Sequence, residues 1–223
     1  GPIREAIQII TAELGDIPLI GFAGAPFTLA AYLVEGGPSK EHMRARGMMH
    51  SDPASWHALA GWLAQVAAVF LRVQIEAGAS AVQLFDSWAG SLAPRDYREF
   101  AGPHSAAALE PVRGSAPIIH FGVGTGPFLD GMRLGGIADA VGVDWRMRLD
   151  EAAAIVGPHT TLQGNIDPAM LTAPREVLDA HVADVIQRGQ AARAHILNLG
   201  HGVPPETDPG VLTHIVEVAH ESV

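Results

Sequence analysis

A parallel α/β fold is what this 223-residue sequence predicts, on two observations. Short, almost continuously apolar runs recur along the chain, and stretches with helical spacing separate them. Apolar runs without polar alternation mark strands covered on both faces. Strands that alternate with helices build a parallel sheet.

The strand runs are Ile17–Phe22, Ala81–Phe85, Pro117–Phe121, Ala140–Val143, Thr160–Gln163 and Ala194–Leu199. Between them, Ala58–Ala77 carries apolar residues at helical spacing and stops at Gly78. Asp150–Val156 opens on an acidic pair and stops at Gly157, while Arg175–Ala192 follows Pro174. These are ordinary start and stop signals for helices. Arg4–Leu14 reads as a helix ahead of the first strand. Glu35–Ser55, charged and rich in methionine, reads as a helix plus a loop over one end of the sheet. No internal linker or low-complexity segment divides the chain, so residues 1–223 are expected to form one domain.

Each strand runs into a polar, glycine-rich exit. These include Gly21-Phe22-Ala23-Gly24, Asp86-Ser87-Trp88-Ala89-Gly90, Gly122-Val123-Gly124-Thr125-Gly126, Asp144-Trp145, Gly164-Asn165-Ile166-Asp167 and Gly200-His201-Gly202. Polar and titratable residues therefore gather at the C-terminal ends of the strands. Sites lie there in closed α/β barrels and in open doubly wound sheets alike, so the pattern places a site without choosing the architecture. With six strand runs counted, a barrel requires two strand–helix units upstream of Gly1.

Composition narrows the function classes. The formal charge is −10, from 14 basic and 24 acidic residues, which opposes binding to nucleic acid and to anionic membranes. No run of eighteen apolar residues is present, so a membrane span is not expected. The chain has no cysteine, which excludes disulfides and thiolate metal sites and fits a reducing cytoplasm. Lys40 is the single lysine; the other cations are arginines.

Individual motifs add less. Gly122–Gly126 lacks the Lys-Ser/Thr of a P-loop and the spacing of a dinucleotide site, and reads as a tight strand exit. The histidines contain no H-E-x-x-H, and His57, His104, His181 and His220 read as solvated or capping residues. His201 stands out because it sits between two glycines beyond an apolar strand, where backbone can approach a ligand and an imidazole can donate to a carboxylate. Ser87 lacks a nucleophile elbow, so its hydroxyl reads as a donor, not a nucleophile. Tyr32, taken alone, reads as a packed residue.

The exits match one family in order and wording. Gly21-Phe22-Ala23-Gly24-Ala25-Pro26-Phe27-Thr28-Leu29 followed by Tyr32-Leu33-Val34-Glu35-Gly36-Gly37, then Gln83–Gly90, Gly142-Val143-Asp144-Trp145, Leu162–Pro168 and Asn198–Gly202, resemble the strings of the uroporphyrinogen decarboxylases across essentially the whole chain. The resemblance implies a TIM (β/α)8 barrel, here incomplete, with the third to eighth strands present in the C-terminal two-thirds of the family's barrel. It implies decarboxylation of the four acetate side chains of uroporphyrinogen III to give coproporphyrinogen III in heme biosynthesis, with no metal or organic cofactor. In that chemistry the substrate's own pyrrole, protonated on a ring carbon, accepts electrons as CO2 leaves.

Carried over by matching motif, Tyr32, Ser87 and His201 are expected to contact the substrate at or near its carboxylates, and Phe22 and Phe85 to line the apolar cleft. A homodimer with facing clefts is also implied. The family's arginine-rich R-Q-A-G-R-Y signature and its pyrrole-binding aspartate are absent from these residues, so no catalytic residue is assigned and the chain alone is expected to be inactive. Two other readings compete: a zinc- or corrinoid-type methyltransferase of the same superfamily, and a non-catalytic tetrapyrrole-binding protein. Without the first two barrel strands, Ile17–Phe22 and Ala194–Leu199 are expected to be open edges, unprotected apart from Pro18.

Overall fold

The computed structural model describes residues 1–221. Six parallel strands form one sheet in sequence order: β1 Ile20–Gly24, β2 Ala81–Asp86, β3 Ile118–Gly122, β4 Ala140–Gly142, β5 Thr161–Gln163 and β6 His195–Ile196. Strict sequential order, with α-helices in every crossover except β3–β4, which is spanned by a kinked 3-10 segment, Gly126–Gly136, is the winding of an α/β barrel, here with β1 and β6 as its two unjoined ends. The helices flanking the sheet are α1 Pro2–Leu14, α2 Pro26–Glu35, α3 Met43–Ser51, α4 Pro53–Glu76, α5 Pro94–Asp96, α6 Gly102–Leu109, α7 Leu149–Val156, α8 Arg175–Gly189 and α9 Pro209–Glu221. A π-helical segment, Tyr97–Ala101, joins α5 to α6.

Local chemistry sets these boundaries. Pro26 begins α2 directly after the extended Ala25, and Gly36 ends it at φ 79° with its N–H on the Tyr32 carbonyl. Asp52 caps α4 by accepting the Ser55 N–H at 3.1 Å. The expected strand Ile17–Phe22 begins later, at Ile20, because Pro18 has no N–H to give the ladder. Ala194–Leu199 shortens to the two residues of β6, prolonged by a lone bridge between Ile166 and Leu199.

Side chains alternate between the two faces of a strand. Val82, Leu84, Ile118 and Ala23 face the helices and pack with Leu71, Ala67 and Leu109. The register sets Gly24, Phe85, Phe121, Gly142, Gln163 and Ile196 side by side on the opposite, interior face. Gln163 donates its amide to Gln83 Oε1 at 3.1 Å, joining β5 to β2 across two intervening strands. Such a bond requires the sheet to curl round an interior. Phe22 also points there and is 58% exposed.

The β1 edge is better guarded than its sequence suggests. The Gln74 side chain, from α4, accepts the Phe22 N–H at 3.0 Å and donates to the Phe22 carbonyl at 2.8 Å. The amide thus satisfies two backbone groups that the β1–β2 ladder leaves free. By length and composition α4 could cross a membrane, although polar residues interrupt its apolar run. In this fold it is a core helix: Trp56, Ala60, Leu63, Ala64, Ala67 and Leu71 are buried, and the Trp56 indole N–H donates to the Phe100 carbonyl at 2.9 Å.

Candidate active site

The C-terminal strand ends are knitted into a rim by bonds between neighbouring exits. The Ala25 N–H donates to the Phe85 carbonyl at 2.8 Å. The Gly124 N–H, beyond β3, donates to the buried carboxylate of Asp144, beyond β4. Asn165, beyond β5, donates its amide to the carbonyls of Asp144 and Met147. The exit of β6 then folds onto that of β4. A Cβ on Gly200 would stand 2.4 Å from the Trp145 nitrogen, so only glycine permits this approach.

Three of the five residues expected at the site converge in the interior. Phe22 meets Phe85 edge to face at 5.8 Å between ring centroids, and Phe85 meets Phe121 in the same way at 5.9 Å. Phe85, Phe121 and His201 line a cavity of about 220 Å³ whose floor holds the Gln83–Gln163 pair. That is below the roughly 300–1,000 Å³ of ordinary small-molecule sites. The three phenylalanine rings, each turned nearly perpendicular to the next, form a continuous apolar surface against which an aromatic ligand can pack. His201, exposed, stands edge-on to Trp145 with centroids 6.0 Å apart.

Tyr32 and Ser87 belong to an adjoining cleft. Tyr32 stacks on Trp88 with centroids 5.0 Å apart and planes 6° from parallel, and His42 packs on the same indole at 4.5 Å. Ser87 and Trp88 line a second cleft of about 450 Å³ together with Lys40, His42, Gly124 and Arg146. Thr28 fixes this wall: its hydroxyl donates to Asp86 Oδ1 at 2.9 Å and accepts the Trp88 N–H at 3.3 Å. The structure therefore places Phe22, Phe85 and His201 on one surface, and Tyr32 and Ser87 on another beside it.

Two buried titratable groups lie behind the site on the helix-facing side. Burial pushes the Asp86 carboxyl up to about 7, against the opposing hydrogen bond from Thr28. Burial lowers His120 to about 4, although its Nδ1 reaches the Met132 carbonyl at 2.9 Å. Both are neutral core groups near pH 6, not site groups. His57 and His104 contact each other at 2.9 Å, and His181 accepts the Asp167 N–H at 3.1 Å. Among the described residues, no three His, Cys, Asp or Glu side chains converge as metal ligands would.

Sequence reasoning missed Arg146 and the part played by Trp145. The guanidinium of Arg146 lies 3.8 Å over the Trp145 ring and donates to Asp144 Oδ2 at 2.8 Å. An arginine immediately after the Asp144-Trp145 strand exit was the available signal.

Comparison with known proteins adds a family. The model of the family described as uroporphyrinogen decarboxylase matches residues 1–222. Uroporphyrinogen decarboxylases from Arthrobacter sp. and Leifsonia xyli are 61% and 57% identical to the chain, each over 98% of it. The chain spans 64% and 62% of those two proteins, less than two thirds of their length. Among solved structures, a methyltransferase from Methanosarcina mazei aligns with a TM-score of 0.84 at 19% identity, covering 98% of this chain and 63% of its own. A B12-independent methionine synthase from Shewanella sp. aligns with a TM-score of 0.66 at 11% identity, covering 99% of this chain and 65% of its own. At such identities the likeness is one of fold.

Proposed function

The chain belongs to the uroporphyrinogen decarboxylase family, and on that premise we propose that it supplies the floor and one wall of a site that converts uroporphyrinogen III to coproporphyrinogen III. The supporting observation is the meeting of Phe85, Phe121 and His201 around one cavity at the C-terminal ends of the strands. In this reading the Phe22–Phe85–Phe121 surface lies against the macrocycle. The His201 imidazole and the Tyr32 and Ser87 hydroxyls donate to the peripheral carboxylates, with charge-assisted bonds stronger than neutral ones.

The substrate carries its own electron sink. Protonation of the pyrrole α-carbon next to the one that bears the acetate makes a conjugated iminium. The electron pair of the breaking bond to CO2 flows through the ring into it and leaves an exocyclic methylene. A proton added to that methylene and loss of the added ring proton restore the pyrrole, now carrying a methyl group. The protein's share is to bind, orient and shield, and these residues do that from one side. The cavity's small volume fits an enclosure whose opposite wall comes from further barrel strands. A homodimer with facing clefts, in a reducing cytoplasm, completes the proposal.

The test is turnover by the complete protein. Anaerobic incubation with uroporphyrinogen III, then oxidation and chromatography, should resolve hepta-, hexa- and pentacarboxylate porphyrins on the way to the tetracarboxylate. Tight porphyrin binding with no CO2 release would instead establish a non-catalytic tetrapyrrole-binding protein.

A further inference from the structure

We propose that Arg146 is a carboxylate clamp for one peripheral side chain of the tetrapyrrole, an inference that rests on the decarboxylase reading above. The side chain stands at the β4 exit, between the two surfaces of the site. It lines the cleft of Ser87 and Lys40, and through Trp145 it adjoins His201. It is 54% exposed, so a ligand can reach it.

The guanidinium is held from two directions. Asp144, 6% exposed, takes Nη1 at 2.8 Å and is itself fixed by the backbone N–H groups of Gly124 and Arg146. The Trp145 indole holds the guanidinium at 3.8 Å. Nε and Nη2 have no protein hydrogen-bond partner among the described residues. That free edge carries parallel N–H donors, the geometry a carboxylate accepts in bidentate fashion.

The Asp144–Arg146 pair is formally neutral, so the clamp works through directed donors. Lys40 adds a positive charge to the same cleft and Glu41 offsets it. An arginine already anchored on Asp144 and Trp145 loses little rotamer freedom when a ligand arrives. The arrangement would hold one carboxylate between Ser87 and His201, turning the macrocycle toward the phenylalanine surface.

The experiment titrates the complete protein with uroporphyrin III, an oxidised octacarboxylate that does not turn over, following tryptophan quenching. Arg146→Gln should raise Kd by about 10- to 100-fold, the scale of one charge-assisted pair. Arg146→Lys, which keeps the charge and loses the fork, should fall between the two. Turnover by Arg146→Gln should show the loss mainly in KM. Unchanged Kd in Arg146→Gln, alongside weakened binding in His201→Ala, would overturn the clamp and leave the decarboxylase reading standing. No uroporphyrin binding by the unmodified protein would remove that reading itself. Inorganic phosphate is the control for free anions. If it alone quenches the unmodified protein but not Arg146→Gln, at concentrations that displace uroporphyrin, the site is a general anion site and the proposal fails.

Discussion

The His201 imidazole meets the Trp145 indole edge to face, with ring planes 88° apart and centroids 6.0 Å apart. These residues leave different strands, β6 and β4, with β5 between them. Gly200 allows the contact, because its backbone passes where a side chain would strike the Trp145 nitrogen. A histidine at the C-terminal strand ends is thus placed by the absence of its neighbour's side chain.

Gly200→Ala should therefore damage the site through packing. A Cβ at 2.4 Å from the Trp145 nitrogen must push the two exits apart. Overpacking of this kind costs about 1–3 kcal/mol. Thermal unfolding of the complete protein should begin at lower temperature, and uroporphyrin affinity should fall. An unchanged melting temperature with unchanged affinity would show that the exits move apart freely.

Tyr32→Phe and His201→Ala remove donors while sparing the core, since both side chains are exposed. Phenylalanine can keep the stack on Trp88. Each change should cost about 1.5–3 kcal/mol of substrate binding, as for one hydrogen bond to a charged group. Steady-state kinetics should show it with an undisturbed unfolding transition. Wild-type kinetics in both variants would remove these residues from the site.

Asp86 and His120 should give opposing pH dependences of stability. The folded-state Asp86 carboxyl, at about 7, lies above its ordinary 3.8, so the folded protein binds more protons between those values and loses stability as pH rises through them. His120, at about 4 against 6.5, binds fewer protons when folded and gains stability over pH 4 to 6.5. Each contributes on the order of 3–4 kcal/mol, at 1.36 kcal/mol per pKa unit. Urea midpoints of Asp86→Asn should climb from pH 4 to 6.5 more steeply than those of the unmodified protein. His120→Asn should show the reverse. Parallel pH profiles for all three proteins would mean that both groups titrate normally.

Residues 1–223 expressed alone should self-associate through β1. Phe22 and Ile20 are 58% and 44% exposed on a strand unpaired on one side. Gln74 blocks part of that edge by taking both Phe22 backbone groups. Gln74→Ala should increase association in sedimentation velocity, and Ile20→Lys should decrease it, as edge lysines do in natural sheets. A monomer that neither change affects would show that the edge is already closed.

The parallel α/β class and the order of strands and helices are legible in the residues alone, as is the gathering of polar side chains at the C-terminal ends of the strands. Those follow from apolar runs and glycine-rich exits, which are local signals. Family strings also pointed to Tyr32, Ser87 and His201. Edge protection was legible only in part, because Gln74 guards Phe22 from a position fifty-two residues away. Its amide means nothing until α4 is laid along β1.

Tertiary structure decided which site residues share a surface. Phe85 and Phe121 are register partners on β2 and β3, and Phe22 of β1, beside Gln83 on the same face, reaches Phe85 edge to face only once the parallel register is set. Asp86 adjoins Ser87 in sequence, yet strand alternation turns its carboxyl into the core toward Thr28. Arg146 looks like any exposed arginine until Asp144 and Trp145 fix its guanidinium. Charge and aromaticity are written in the chain, but the direction in which a donor points is set by contacts between exits far apart in sequence.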